Sequence, residues 1–326
     1  MNTASQSMLT HAWFGLAGLM LIFYVVTDGF DLGVGILTLF QRDRTRRDIM
    51  VQSIGHVWDA NETWLVVLGG ALFGAFPAAY AEIMSNLYIP VMVLIASLIM
   101  RGAAIEFRHA AHGARVWDIV FGLGSLLAAA CQGIILGKII TGLIPGSGET
   151  AFVVVTAIGV ISGYILLGAT YLVKKTTGAL EHSARSATVI SVIVTASSAL
   201  ILSAGTRYFS PIGTERWSQP GVFHLLLALS IVAAAAFVYV LYAVHVRSTR
   251  GPFRAAVLMF LASFAGLAVS MFPDWIPGQL SIADSASDTA TLTFMLFGIG
   301  MVLPVMIGYN LYQYHLFRGK VVPVRH

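Results

Sequence analysis

Residues 12–40 read AWFGLAGLMLIFYVVTDGFDLGVGILTLF. The stretch has no basic residue, and its only charged side chains are Asp28 and Asp31. At ~1.5 Å per residue a helix of this length covers the ~30 Å hydrocarbon thickness of a bilayer. Eight further segments have the same character, at roughly 49–79, 87–107, 117–140, 151–173, 187–207, 221–246, 253–272 and 291–317. The second could begin as late as residue 57, because Ile49, Met50, Val51 and Ile54 alternate with polar residues. The sequence therefore predicts an all-α integral membrane protein with nine transmembrane helices. Composition agrees: 57% of the 326 residues are hydrophobic, only 10% are charged, and mean hydropathy is +0.82. A soluble domain carries roughly a quarter charged residues, so lipid is the solvent for this chain.

Working outward from the spans, the basic residues orient them. Sixteen of the 19 fall in the loops after spans one, three, five and seven and in the C-terminal tail: Arg42, Arg44, Arg46, Arg47, Arg101, Arg108, Arg115, Lys174, Lys175, Arg185, Arg247, Arg250, Arg254, Arg318, Lys320 and Arg325. Only Lys138, Arg207 and Arg216 fall on the other side. Cytoplasmic loops carry such an excess, which puts the N-terminus outside (periplasmic) and the C-terminus in the cytoplasm. The net charge of +4 is thus topogenic, and no nucleic-acid partner is expected. No loop exceeds about 20 residues, so residues 1–326 read as a single polytopic membrane domain. The stretches around Pro145–Glu149, Phe209–Pro220 and 273–290 carry the turn-forming residues of irregular segments. No cleavable signal peptide is expected, and the lone Cys131 excludes an intrachain disulfide.

Ionisable groups inside spans are expensive and pose a functional question by default. Asp28 and Asp31 are three residues apart and share a helix face. Counted back from Phe40, Asp31 lies ~13 Å deep and Asp28 near the bilayer centre. Gly29, Gly33 and Gly35 beside them permit close approach of another helix. The second span opens with Trp58-Asp59-Ala60-Asn61-Glu62-Thr63-Trp64, followed by Gly70 and Gly74 in small-xxx-small spacing. The third approaches the cytoplasm with Arg101 and Glu106. Each residue has a plainer reading: a hydrogen-bonding Asp, an interfacial Trp, a snorkelling Arg, an interfacial Glu. Taken together, Glu106, Asp59, Asp31 and Asp28 form a stair of carboxylates from the cytoplasmic face to mid-membrane. Desolvation favours the protonated form of a carboxyl, so such a stair can relay protons.

No histidine occupies the middle of a span: His11, His56, His109, His112, His182, His224, His245, His315 and His326 fall at ends or in loops. The chain therefore shows no haem pocket of its own, no metal site and no cofactor-binding motif. P-loop, dinucleotide, HExxH and CxxC patterns are absent.

At TDGFDLGVGIL (27–37), WDANETWLVVLGGALFGAFPAAYA (58–81), LIMRGAAIEFR (98–108) and GATYLVKKTTGAL (168–180) the sequence resembles the subunit II family of cytochrome bd-type quinol oxidases, including its cyanide-insensitive branch. Met301–Pro304 and Phe317–Lys320 extend the similarity along nearly the whole chain. The resemblance implies an accessory subunit of a bacterial inner-membrane heterodimer that feeds electrons from quinol to oxygen. It implies that a partner subunit I holds two haems b, one haem d and the quinol site, leaving no catalytic residue here. Proton uptake from the cytoplasm, rather than pumping, would then separate charge. It further implies that Asp59, Trp64 and Glu106 lie on the cytoplasmic proton path, with Asp28 and Asp31 in the first-helix motif and Arg101 in the third. Ala60, Glu62 and Glu106 depart from the Gly, Gln and Asp of some members, and the outer loops are shorter. A small single-helix subunit and a structural quinone are features of some relatives that the motifs leave open. A proton-coupled permease is the alternative reading, although paired interrupted helices in two halves are not evident.

Overall fold

The computed structural model describes residues 3–108, 114–146, 148–210 and 212–321. His109, His112, Arg325 and His326 lie outside the described residues. The long helices are α1 (Thr3–Thr38), α5 (Tyr88–Phe107), α6 (Ala114–Ile140), α7 (Glu149–Lys175), α8 (Gly178–Phe209), α9 (Pro220–His245), α10 (Gly251–Met271) and α12 (Thr289–Leu316). Between them come α2 (Arg44–Ile54), α3 (Trp58–Ala75), α4 (Pro77–Asn86), a π-helical turn at Ile212–Arg216 and α11 (Ile282–Ser285). The 273–290 stretch also folds a small antiparallel hairpin from β1 (Asp274–Ile276) and β2 (Leu280–Ser281).

Eight of these helices are long and apolar enough to cross a membrane; α3 and α4 pass that test only as a pair. The segment expected as one span over 49–79 is thus corrected to three pieces. Polar α2, capped by Asp43 accepting from Thr45 and Arg46 N–H groups, ends at Gly55. α3 then stops at Phe76, where the chain bends by 118° into α4. Pro77 has no N–H and disfavours helical backbone in the residue before it; Phe76 accordingly sits at φ −135°, ψ 62°. Alternation of apolar and polar residues at 49–54 reflects α2 lying with only Met50, Val51, Ser53 and Ile54 buried.

α1 is the hub, packed against α3, α6 and α7. Its glycines explain the close approach. A Cβ on Gly33 would lie 1.8 Å from the Tyr164 carbonyl oxygen of α7, and one on Gly168 2.5 Å from the backbone of Gly33. A Cβ on Gly29 would meet the Tyr164 ring at 2.8 Å, and one on Gly35 would meet Ser125 Oγ of α6 at 2.1 Å. Backbones in this contact gain dispersion and exclude lipid, which is how small residues join membrane helices. Phe30, stacked on Tyr171 with ring centroids 4.2 Å apart, fills the space beside the crossing. Gly74 faces only the flexible end of Met295, and Gly70 meets nothing within 4 Å, so the second small-residue pair does not hold helices together within this chain.

α3 and α12 also present a broad apolar face outward. Phe294, Phe297, Met301 and Val305 of α12 and Val66 and Phe73 of α3 are all largely exposed.

Candidate functional site

The two carboxylates of α1 do not face outward. Asp28 and Asp31 are fully buried, as are Arg101 of α5 and Asn61 of α3. Arg101 Nη2 lies 2.6 Å from Asp28 Oδ1 and 2.7 Å from Glu62 Oε2, so one guanidinium nitrogen joins α1, α3 and α5. Complete burial excludes the snorkelling reading of Arg101: its head group points inward because two carboxylates there replace its hydration.

Asp31 has different company. Asn61 Nδ2 donates to Asp31 Oδ2 at 2.7 Å and to the Thr27 carbonyl at 3.3 Å, while Tyr314 Oη of α12 donates to Asn61 Oδ1 at 2.6 Å. The two aspartates, one turn apart, are thus served by a cation and by an amide respectively. Asp28 Oδ2, Asp31 Oδ1 and Arg101 Nε and Nη1 are buried with no hydrogen-bond partner among the described residues. Unmet polar groups in a low-dielectric interior are costly, and a purely apolar core avoids them.

Asp59 and Glu106 are exposed, and the structure separates them from the buried aspartates. Both line one open cavity of about 650 Å³, with His56 just before α3, Trp58 at its start, and Asn310 and Gln313 from α12. The expected stair is therefore two landings: an open one holding Asp59 and Glu106, and a buried one holding Asp28 and Asp31. Glu62, half-buried and one turn along α3 from Asp59, stands between them and touches Arg101. Trp64 is fully buried, stacks on Phe23 of α1 at 4.6 Å, and directs Nε1 to Asn310 Oδ1 at 3.5 Å.

Several residues of the site escaped the sequence reading. Asn61 and Tyr314 join Asp31 to α12, and Tyr24, Gln132 and Tyr164 form a hydrogen-bonded line beside Asp28. Gln132, an amide in the middle of an apolar run next to Cys131, is the signal that could have been read. At the arginine-rich end, Asp118 of α6 accepts from Arg47 Nε at 2.7 Å and Arg108 Nε at 2.5 Å, and Arg108 also pairs with Asp48. These pairs tie the first turns of α2 to the end of α5 and the start of α6, just beyond Glu106. Burial at Asp118 is nearly complete, so the carboxylate is held by its two arginines rather than by solvent.

Among the described residues no group of three or more His, Cys, Asp or Glu is arranged to hold a metal ion. His11, His56, His182, His224, His245 and His315 are all exposed; His56 stacks on Phe317 at 4.4 Å, tying the C-terminal segment to the cavity mouth.

Comparison with known proteins extends this picture. The chain is 27% identical to the cytochrome bd-I ubiquinol oxidase subunit 2 of Escherichia coli (strain K12), covering 96% of this chain and 95% of that one. It is 28% identical to the cytochrome bd ubiquinol oxidase subunit 2 of Bacillus subtilis (strain 168), covering 95% and 96%. The fold matches a chain of the bd oxidase structure from Geobacillus thermodenitrificans with a TM-score of 0.77, at 18% identity over 95% of this chain and 98% of that one. With residues 9–317 matching the family profile, this multi-pass membrane chain belongs to the cytochrome bd terminal oxidase subunit II family.

Proposed function

We propose that this chain is the accessory subunit of a bd-type quinol:oxygen oxidoreductase in the bacterial inner membrane and supplies its cytoplasmic proton-uptake path. It crosses the membrane nine times, with α3 and α4 as one broken crossing, the N-terminus outside and the arginine-rich end in the cytoplasm. A haem-bearing subunit I packs on the exposed apolar face of α3 and α12, where Gly70 leaves room for a close neighbour. Two haems b and one haem d in that partner carry out the electron transfer and oxygen reduction. Because the protons come from one side without pumping, their uptake itself separates charge.

The observation that carries this reading is the sequence of acids from open cavity to buried cluster. Protons enter at Asp59 and Glu106, pass Glu62 and reach Asp28, with Asp31 alongside. Arg101 pairs with Asp28 and Glu62 while Asp31 beside them meets only an amide, so full ionisation would leave this largely buried cluster with a net charge of minus two. Such a group of acids keeps exchangeable protons. Arg101 holds Asp28 and Glu62 together, and Trp64 shapes the wall. A permease is not favoured by the geometry, since the described residues contain one broken helix pair and not two in corresponding places.

The test uses Asp59→Asn and Asp31→Asn in the complete complex, with oxygen consumption and haem content measured together. Slowed turnover with normal haem supports uptake through these acids. Loss of haem d along with assembly assigns them to holding the subunits together, and unchanged turnover with unchanged haem sinks the path. A visible spectrum of the complex isolated through this chain comes first: haem b and haem d bands with a larger partner support the oxidase assignment.

A further inference from the structure

The amide beside Asp31 can point only one way, given what each of its neighbours accepts or donates. Asn61 is fully buried, and its side chain meets Asp31 Oδ2 at 2.7 Å, the Thr27 carbonyl at 3.3 Å and Tyr314 Oη at 2.6 Å. A carbonyl oxygen only accepts, so the end of the amide facing Thr27 is the nitrogen. The same nitrogen faces Asp31, and the amide oxygen is left to Tyr314. That oxygen also only accepts, so the Tyr314 hydroxyl is the donor. Donation thus runs one way, from α12 through α3 to α1. Asp31 Oδ2 meets a donor, whereas Asp31 Oδ1 is buried with no hydrogen-bond partner among the described residues.

Nor does a cation reach Asp31. Arg101 Nη2 is engaged by Asp28 and Glu62, and Asp31 has no salt bridge among the described residues. A carboxylate out of water with no cation is costly, and the neutral acid is the cheaper form. We propose that Asn61, held by Tyr314, is a positioning residue that makes Asp31 a one-ended proton carrier: Oδ2 is committed to accepting from the amide, and the exchangeable proton resides on Oδ1. The proposal deepens the proton-uptake reading and rests on it. Asn61 orients but does not conduct, because a carboxamide does not release a proton at neutral pH as a carboxyl does. The two acids of α1 thereby differ in kind, since Asp28 is held by a cation and Asp31 holds a proton. The Tyr314 ring packs edge-on against Phe30 with centroids 6.3 Å apart, so its hydroxyl can be removed without emptying the space.

The experiment compares Asn61→Leu, Tyr314→Phe and the double variant in the complete oxidase complex, by infrared spectroscopy with haem content measured alongside. The Asp31 carboxyl C=O band is the one lost in Asp31→Asn; if no such band is lost, Asp31 carries no proton and the proposal is overturned. Asn61→Leu removes the donor to Oδ2, so the band moves to higher frequency while the haem bands stay normal. Tyr314→Phe releases the amide oxygen and moves the band the same way, by less. Because Tyr314 acts through Asn61, the double variant shifts no further than Asn61→Leu alone. In heavy water the band of the unaltered complex moves to lower frequency, since the proton on Oδ1 exchanges. An unmoved band in either single variant, a double shift equal to the sum of the singles, or a band indifferent to heavy water overturns the proposal. If Asn61→Leu fails to assemble, Tyr314→Phe alone decides through the same band. This readout is Asp31 itself, so its failure leaves the uptake path to the turnover of Asp59→Asn, and failure of that path leaves the infrared result standing.

Discussion

Replacing Arg101 by Met removes the only cation of the buried cluster while keeping an unbranched side chain of similar reach. Arg101 Nη2 serves Asp28 at 2.6 Å and Glu62 at 2.7 Å, and neither Arg101 nor Asp28 is exposed at all. Breaking a buried pair by removing one partner costs about 3–5 kcal/mol, because the other charge stays desolvated and alone. That corresponds to roughly two to nearly four orders of magnitude in the ratio of folded to unfolded protein. Glu62 is half-buried and recovers part of its hydration, so Asp28 bears most of the loss. The decisive comparison is the triple variant Arg101→Met, Asp28→Asn, Glu62→Gln. Replacing all charged members of a buried cluster together is often neutral, since no orphan charge remains. Heat-induced loss of monodisperse complex, followed by detergent chromatography, measures both. Arg101→Met should be strongly destabilised and the triple variant should recover most of the loss while lacking proton uptake. A triple variant no more stable than Arg101→Met would falsify the charge argument and make Arg101 a packing residue.

Gly33→Ala should cost at least the 1–3 kcal/mol typical of overpacking, since its Cβ would sit 1.8 Å from backbone oxygen that cannot swing aside; a complex with unchanged heat stability would contradict the α1–α7 crossing. Gly70→Ala has open space in this chain, so any loss of assembled complex from it reports contact with the partner. Asp118→Ala leaves Arg47 and Arg108 without their shared acceptor, at about 1–3 kcal/mol given that Arg47 is partly exposed. Faster hydrogen exchange across residues 41–48 is the expected signature, and unchanged protection there refutes the clamp. At the start of α12, the Thr291 N–H, the Thr291 hydroxyl and the Ala290 N–H hold the Asp288 carboxyl below the usual carboxylate range. A depressed value contributes stability above the unfolded carboxylate pKa of about 3.9 and loses it as pH falls through the folded one. Exchange protection of the first turn of α12 should therefore persist through neutral pH and fade in acid below about pH 4, and Asp288→Ala should abolish that dependence.

The sequence by itself determined the class of fold. Hydropathy and length made residues 12–40 a spanning helix because a bilayer interior accepts only backbone whose polar groups are satisfied within the segment. That same constraint made Asp28, Asp31 and Arg101 conspicuous, since each is a charge where none is cheap. Spacing put the two aspartates on one face, and the motifs around them were long enough to indicate the family. Local signals failed where tertiary packing chose between permitted states. The hydropathy of 49–79 reads as one span, yet Gly55 and Pro77 break it, and only packing against α1 and the following hairpin decides that the break is a sharp bend.

Which aspartate meets which partner was not legible in the sequence, because a three-residue spacing gives both the same face. The structure separates them: Arg101, from a helix some 70 residues on, reaches Asp28, while Asn61 reaches Asp31. Asp59 and Glu106 share a cavity because α3 and α5 converge there with α12, a juxtaposition that no local pattern encodes. Burial of a charge is a property of everything packed around it, so sequence can mark a residue as costly while only the fold says what offsets the cost. Gln132 shows the same limit from the other direction: an amide in an apolar run looks incidental until α1 and α7 place a tyrosine hydroxyl at each of its ends.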